Sequence, residues 1–260
     1  MRIIDFHTHI FPEKIAGKAT EFISNFYDIG TDYVGSSSML LEKGRKAGIT
    51  DFVVLPVVMK AEQTHRINEF ILEECALHKE FFGFGTLHID TPDLEKEMEY
   101  ISENDFKGLK FHPDMQKFAI DDPKMMEIYD YMQGKLPILF HCGDPRYDYS
   151  HPSKVKRILK DFPKLTVIAA HLGGWSMYDT AEDYLKDTDC YFDISSSLAY
   201  MSPEKAAEHV RRYGSERVLF GTDFPLWDYP IEMERFEKLP LSDDEKENIY
   251  FKNALRLLNG

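Results

Sequence analysis

The sequence predicts a single α/β domain over residues 1–260, folded as a (β/α)8 TIM barrel. Three observations lead there. Short β-branched and aromatic runs alternate with longer charged stretches of helical apolar spacing, about eight such runs are present, and no long interruption marks a change of winding direction. An open doubly wound sheet is the alternative architecture. No Ser/Gly-rich linker or low-complexity segment divides the chain.

The first run, RIIDFHTH, alternates polar and apolar residues, the pattern of a strand with two different faces. An insertion from Phe11 to Gly35 follows, longer than a minimal βα loop and rich in Phe, Tyr and Gly. Loops on that side of a barrel line the active site, so this segment is either a lid or substrate wall, or an extra helix with no contact to substrate. SSSMLLEKGRKAG opens on serine and closes on glycine, as a capped helix does. The apolar run DFVVLPVV reads as a buried strand, HRINEFILEECALHKEF as a helix and FFGFGTLHI as the third strand. KGLKFHP, DPKMMEIYDYMQGK, LPILFHC, SKVKRILKDF, LTVIAAH, CYFDIS, SPEKAAEHVRRYG and RVLFGTD supply the later strands and the helix candidates among them. DDEKENIYFKNALRLL then forms a C-terminal helix, expected outside the barrel.

Composition narrows the function classes. No apolar run approaches the roughly 18 residues of a membrane span, and Asp5, His7 and His9 break the first apolar stretch, so neither membrane insertion nor a cleaved signal is expected. A net charge of −14 repels a phosphate backbone, which disfavours nucleic acid and favours a small-molecule substrate. Three cysteines without short metal-type spacing suggest free thiols in a reducing, cytoplasmic setting. A homo-oligomer is left open.

Polar residues at strand ends point to the chemistry. Period-two geometry puts Asp5, His7 and His9 on one face of the first strand and Ile4, Phe6 and Thr8 on the other, with the imidazoles about 7 Å apart. His141, His171 and Asp223 each end an apolar run on its carboxyl side, the catalytic face of a barrel. The same parity pairs Leu139 with His141, Ala169 with His171 and Gly221 with Asp223 on the interior, and turns Phe140 and Phe220 towards the helices. His7, His9, His141 and Asp223 then form an imidazole and carboxylate set suited to a divalent ion, Zn²⁺ first, with Mn²⁺, Co²⁺ and Fe²⁺ as alternatives. On the fourth strand Lys110 and His112 share the inward face. A buried ammonium needs a partner, so Lys110 is expected to grip an anionic substrate group, to carry a carbamate between two metals, or to pair with Asp5 or another inward acid. Arg146, in the loop GDPRYDYSHP, is a candidate clamp for a substrate carboxylate, or else part of an exposed ion pair.

Asp-x-His-x-His on the first strand, single histidines ending strands five and six, and Gly-Thr-Asp-x-Pro at the eighth resemble the amidohydrolase superfamily over essentially the whole chain. With GLKFHP, HLGG and FGTDFP the likeness narrows to the branch that includes aminocarboxymuconate semialdehyde decarboxylase. The resemblance implies His7, His9, His141 and Asp223 as metal ligands, with His171 beside the metal-bound water. Two-metal branches use a carbamylated lysine near the position of Lys110. The leading expectation is hydrolysis of an amide, ester or lactone in a small anionic substrate, Asp223 accepting the water proton and His171 orienting the water or stabilising the oxyanion. The alternative is non-oxidative decarboxylation of an aromatic or unsaturated acid. A catalytically silent metal-binding or ligand-sensing barrel is the third reading.

Overall fold

The computed structural model of the chain describes residues 1–259. In chain order the strands are β1 (Ile4–Thr8), β2 (Asp51–Val54), β3 (Phe81–Gly83), β4 (Gly85–Thr86), β5 (Leu109–Phe111), β6 (Ile138–Phe140), β7 (Val167–Ala169), β8 (Tyr191–Asp193) and β9 (Val218–Leu219). Between and after them lie α1 (Glu13–Tyr27), α2 (Ser37–Ala47), α3 (Thr64–Leu77), α4 (Leu94–Glu103), α5 (Pro113–Gln116), α6 (Met125–Met132), α7 (Pro152–Asp161), α8 (Tyr178–Leu185), α9 (Pro203–Tyr213), α10 (Tyr229–Glu237), α11 (Asp243–Glu247) and α12 (Asn253–Leu258). Every strand pairing is parallel.

The eight runs close into a barrel. β3 and β4 are one run broken at Phe84, whose N–H still reaches the Val54 carbonyl at 3.1 Å while Gly85 N–H turns to the Gly108 carbonyl at 2.8 Å. Closure comes from Phe6 N–H to the Phe220 carbonyl and Asp223 N–H to the His7 carbonyl, both 2.8 Å, with a parallel bridge between Thr8 and Phe224. Ile4, Phe6, Val53, Phe84, Leu139, Ile168 and Leu219 belong to one apolar cluster that fills the interior. A larger one, with Phe52, Phe111, Phe140 and Phe220, packs strands against helices. Helix punctuation follows local chemistry: Ser36 caps α2 and Gly48 ends it at φ 89°, and Ser202 caps α9.

Two expectations change. The C-terminal helix is divided by a π turn at Asn248–Lys252, and α12 sends Ala254 and Leu258 into the interior cluster, so its last turns close the barrel floor rather than lie outside. Strict alternation also fails on β1, where the register with β2 shifts between Asp5 and Thr8. Asp5 therefore does not share a face with His7 and His9. Its carboxylate accepts from Thr222 Oγ1 at 2.6 Å and Tyr229 Oη at 2.9 Å, tying β1 to the chain after β9 and to α10.

Candidate metal centre

Backbone departures aim the functional side chains. His7 leaves the shifted segment of β1 inward, and Gly221 lets the neighbouring chain pass behind it, because a Cβ there would lie 2.9 Å from the His7 Cβ. On β7 the interior residues are Ile168 and Ala170, not Ala169, so strand parity alone would turn His171 away from the site. It arrives through a left-handed backbone at φ 59°, and Asp223 likewise sits at φ 63°. Such conformations cost of order 1–3 kcal/mol at non-glycine residues and persist where surrounding bonds over-determine them. The loops after β6 and β7 press together at Gly143, where φ is 69° and a Cβ would meet the Gly174 Cα at 2.5 Å.

The result is a convergence of three ligand atoms. His7 Nδ1 donates to Asp193 Oδ2 at 2.8 Å and His9 Nδ1 to the Leu55 carbonyl at 2.7 Å, so each ring presents an unprotonated Nε2. These nitrogens lie 3.5 and 3.3 Å from Asp223 Oδ1. Atoms each about 2.1 Å from a shared ion stand about 3.0–3.4 Å apart at octahedral or tetrahedral angles, so the spacing fits a divalent metal. Asp223 Oδ2 is held by Ser196 Oγ at 2.5 Å, which itself accepts from Trp227 Nε1 at 2.8 Å. Burial, together with the positive field of Lys110, lowers the His7 pKa to about 3. Burial alone would raise Asp223 and Asp193, but the histidines outweigh it, holding Asp223 well below the usual range and Asp193 at about 2. His7 and Asp223 are therefore deprotonated at neutral pH, as metal binding requires.

His141 stands beside this trio rather than within it. Its Nδ1 is 3.0 Å from His171 Nε2, and its buried Nε2 has no hydrogen-bond partner, with Asp114 Oδ2 at 3.7 Å. His112, Asp114 and His141 also cluster closely enough to suggest a second ion. The two rings, however, stack at 4.0 Å and 8°, so lone pairs lying in parallel planes cannot meet at one metal. His171 donates from Nδ1 to the Ser195 carbonyl at 2.9 Å, and burial lowers its pKa, leaving Nε2 a bare proton acceptor.

Lys110 is 1% exposed, makes no salt bridge among the described residues, and points Nζ at His7 Nε2 across 3.2 Å. Burial lowers it to about 8, so it is still mostly charged at pH 7. The pairing with Asp5 does not form. His112 borders the cavity and hydrogen-bonds through Nε2 to Tyr27 Oη at 2.5 Å. Arg146 departs from its expected place: it grips Asp144 with Nε and Nη2, donates to the Phe26 carbonyl at 2.7 Å, and does not line the cavity. It fastens its loop to the end of α1.

These groups floor a cavity of about 500 Å³, and α1 forms one wall through residues such as Phe22, Ile23 and Tyr27. The Phe11–Gly35 insertion is thus a wall of the site. Sequence reasoning passed over Tyr27, Ser196, Trp227 and Asp193. Asp193 had a signal: it follows the apolar run CYF in the manner of Asp223 after RVLFGT, yet its role is to hold others, with Oδ2 on His7 and Oδ1 accepting from His171 N–H at 3.1 Å and Ser195 N–H at 3.0 Å. Asp193→Asn removes the charge that fixes the His7 tautomer. We expect a metal Kd raised about 10–100-fold in chelator competition, and an unchanged Kd would show that His7 is oriented by something else.

An amidohydrolase family model matches residues 4–260. Among curated proteins none matches. Solved structures similar to this chain include an uncharacterised TIM-barrel protein from Bordetella bronchiseptica, at TM-score 0.79 and 19% identity, covering 100% of this chain and 99% of the other. A dihydroxybenzoic acid decarboxylase from Polaromonas sp. JS666, with bound manganese and the inhibitor 2-nitroresorcinol, aligns at TM-score 0.75 and 16% identity over 99% and 97% of the two chains. The 5-carboxyvanillate decarboxylase of Sphingomonas paucimobilis aligns at TM-score 0.76 and 14% identity over 99% of each chain.

Proposed function

The chain belongs to the amidohydrolase family, and we propose that within it this protein is a metal-dependent carboxy-lyase removing CO₂ from an aromatic or unsaturated carboxylic acid. The observation that carries the reading is the juxtaposition of the His7, His9 and Asp223 ligand atoms with Lys110 and the bare Nε2 of His171 on the floor of an aromatic-walled cavity. The decarboxylases among the similar structures support that choice over the hydrolysis expected first from the sequence. His7, His9 and Asp223 would hold the ion, with His141, whose Nε2 lacks a partner, as the fourth ligand. Manganese in the Polaromonas structure makes Mn²⁺ the first ion to test, ahead of Zn²⁺. When bound, a divalent cation supplies positive charge that neutralises the oxygens of the substrate acid.

The chain's own groups do the rest. Lys110 directs its ammonium at His7 Nε2, and once that lone pair is a ligand the ammonium needs another acceptor, which a substrate carboxylate provides. Decarboxylation breaks the bond between the substrate carbon and CO₂ and replaces it with C–H, so one proton must be delivered to carbon. His171 is the group for this, because the Ser195 carbonyl fixes its Nδ1–H and leaves Nε2 as the proton-carrying atom. Burial keeps it neutral in the free protein, a substrate anion alongside raises its affinity for a proton, and Nε2 then takes one from solvent and passes it to the carbon that loses CO₂, returning to the neutral ring.

Hydrolysis stands second, favoured by the same ligand trio, with Asp223 taking the proton of the attacking water. The test is metal analysis of purified protein followed by assay of hydroxylated aromatic acids for CO₂ release and of esters and lactones for hydrolysis. Metal-dependent CO₂ release that is lost to a chelator and restored by Mn²⁺ or Zn²⁺ is expected. Ester or lactone turnover without CO₂ from any acid would overturn the carboxy-lyase reading.

A further inference from the structure

Three features of the cavity bear on what lies beyond the reacting end of the substrate. The first is size. At about 500 Å³ the cavity has roughly three times the space of an apolar cavity of about 150 Å³ that accommodates benzene, so a single substituted ring at the histidines leaves most of it unfilled. The second is the lining away from those histidines, which is apolar and reaches the surface: Ile15, Phe22 and Met59 line the cavity and are 51%, 52% and 40% exposed. Large exposed hydrophobic side chains gathered around one opening mark a surface meant to be covered. The third is charge. Arg66 on α3 and Lys14 on α1 line the same cavity, both exposed, and neither has a carboxylate within 4.0 Å among the described residues. Glu69, three residues from Arg66, pairs with His65 instead. Two uncommitted cations beside an apolar mouth, in a chain of net charge −14, are complementary to an anion at the far end of an apolar body.

We propose that the substrate is an elongated diacid: an aromatic acid head at the metal centre, an apolar body of a second ring or chain along α1 and α3, and a distal carboxylate met by Arg66 with Lys14 as the second cation. The head group rests on the carboxy-lyase reading, whereas the body and distal carboxylate rest on the cavity and its mouth. Arg66 sets specificity and takes no part in bond breaking.

The test uses the Mn²⁺-loaded protein and equilibrium binding of three ligands with a common head: 2-hydroxybenzoate, 4-phenyl-2-hydroxybenzoate, and the same biaryl carrying a carboxylate on its outer ring. The second ring is expected to tighten binding by about tenfold or more through buried apolar area. The outer carboxylate should add about three- to tenfold, screened by salt. Arg66→Gln should remove that last increment while the neutral biaryl binds within about twofold of wild type. A biaryl that binds no better than the single ring, or an outer-carboxylate increment that survives both Arg66→Gln and Lys14→Gln, would overturn the proposal. So would self-association of the protein that buries Ile15 and Phe22 and excludes the biaryl, which identifies the mouth as a subunit contact. Failure of the carboxy-lyase reading registers separately, as absence of CO₂ release from ligands that bind in this graded order.

Discussion

His171→Asn is expected to keep near-normal metal content and to lower turnover by about 10²-fold or more, the usual scale for losing a general acid or base. The substitution is chosen for what it preserves. Asparagine can still donate to the Ser195 carbonyl, the bond His171 makes from Nδ1 at 2.9 Å, so the loop after β7 keeps that anchor. It lacks a nitrogen that takes up a proton near neutral pH, and it no longer places Nε2 within 3.0 Å of His141. The backbone favours the comparison too, because asparagine tolerates the left-handed φ of 59° at this position better than most residues. Bound metal and kcat measured on one preparation separate three cases. Metal loss would make His171 a ligand, unchanged kcat would make it a packing residue, and retained metal with a large fall in kcat assigns it proton transfer.

The second large effect is on the ion itself. Replacing His7 and His9 together with alanine removes both Nε2 atoms that stand 3.5 and 3.3 Å from Asp223 Oδ1, leaving a lone carboxylate oxygen of the trio. Metal retention after dialysis is expected to be abolished, and CO₂ release with it. The substitution also leaves the buried Asp193 Oδ2 without its imidazole partner, although Oδ1 keeps the His171 and Ser195 N–H groups, so the thermal midpoint should fall. Circular dichroism on the same sample therefore accompanies the metal measurement. Stoichiometric metal in a folded double variant would sink the assignment of this centre.

The barrel itself was legible because it is written in local patterns. Eight β-branched and aromatic runs and the serine and glycine punctuation of α2 and α9 report on nearest neighbours along the chain, and the structure has them in place. No helix among the described residues is long and apolar enough to cross a membrane, in keeping with the absence of a long apolar run. His7, His9, His141, His171, Lys110 and Asp223 stood out for a related reason: a polar residue at the end of an apolar strand carries a desolvation cost that demands an explanation.

What the chain alone left undecided are the features that depend on distant partners. Strict alternation misplaced Asp5 and misassigned the inward face of β7, because the register shift in β1 depends on its pairing with β2 and the left-handed turn at His171, whose N–H is held by the distant Asp193 carboxylate, carries the ring back inward beyond the strand. The tautomer of His7 is fixed by Asp193, which lies 186 residues away, and Asp5 is held by Thr222 and Tyr229 at similar separations. Arg146, a plausible clamp when read from its loop, turns to Asp144 and the end of α1 once the barrel closes. Side-chain chemistry and period are properties of neighbouring residues, so the sequence by itself determined the barrel and most of the groups at its mouth. Hydrogen-bond partners and cavity walls are properties of juxtaposition, and only the closed barrel decided which nitrogens face one another, which carboxylate holds them and how much space lies above.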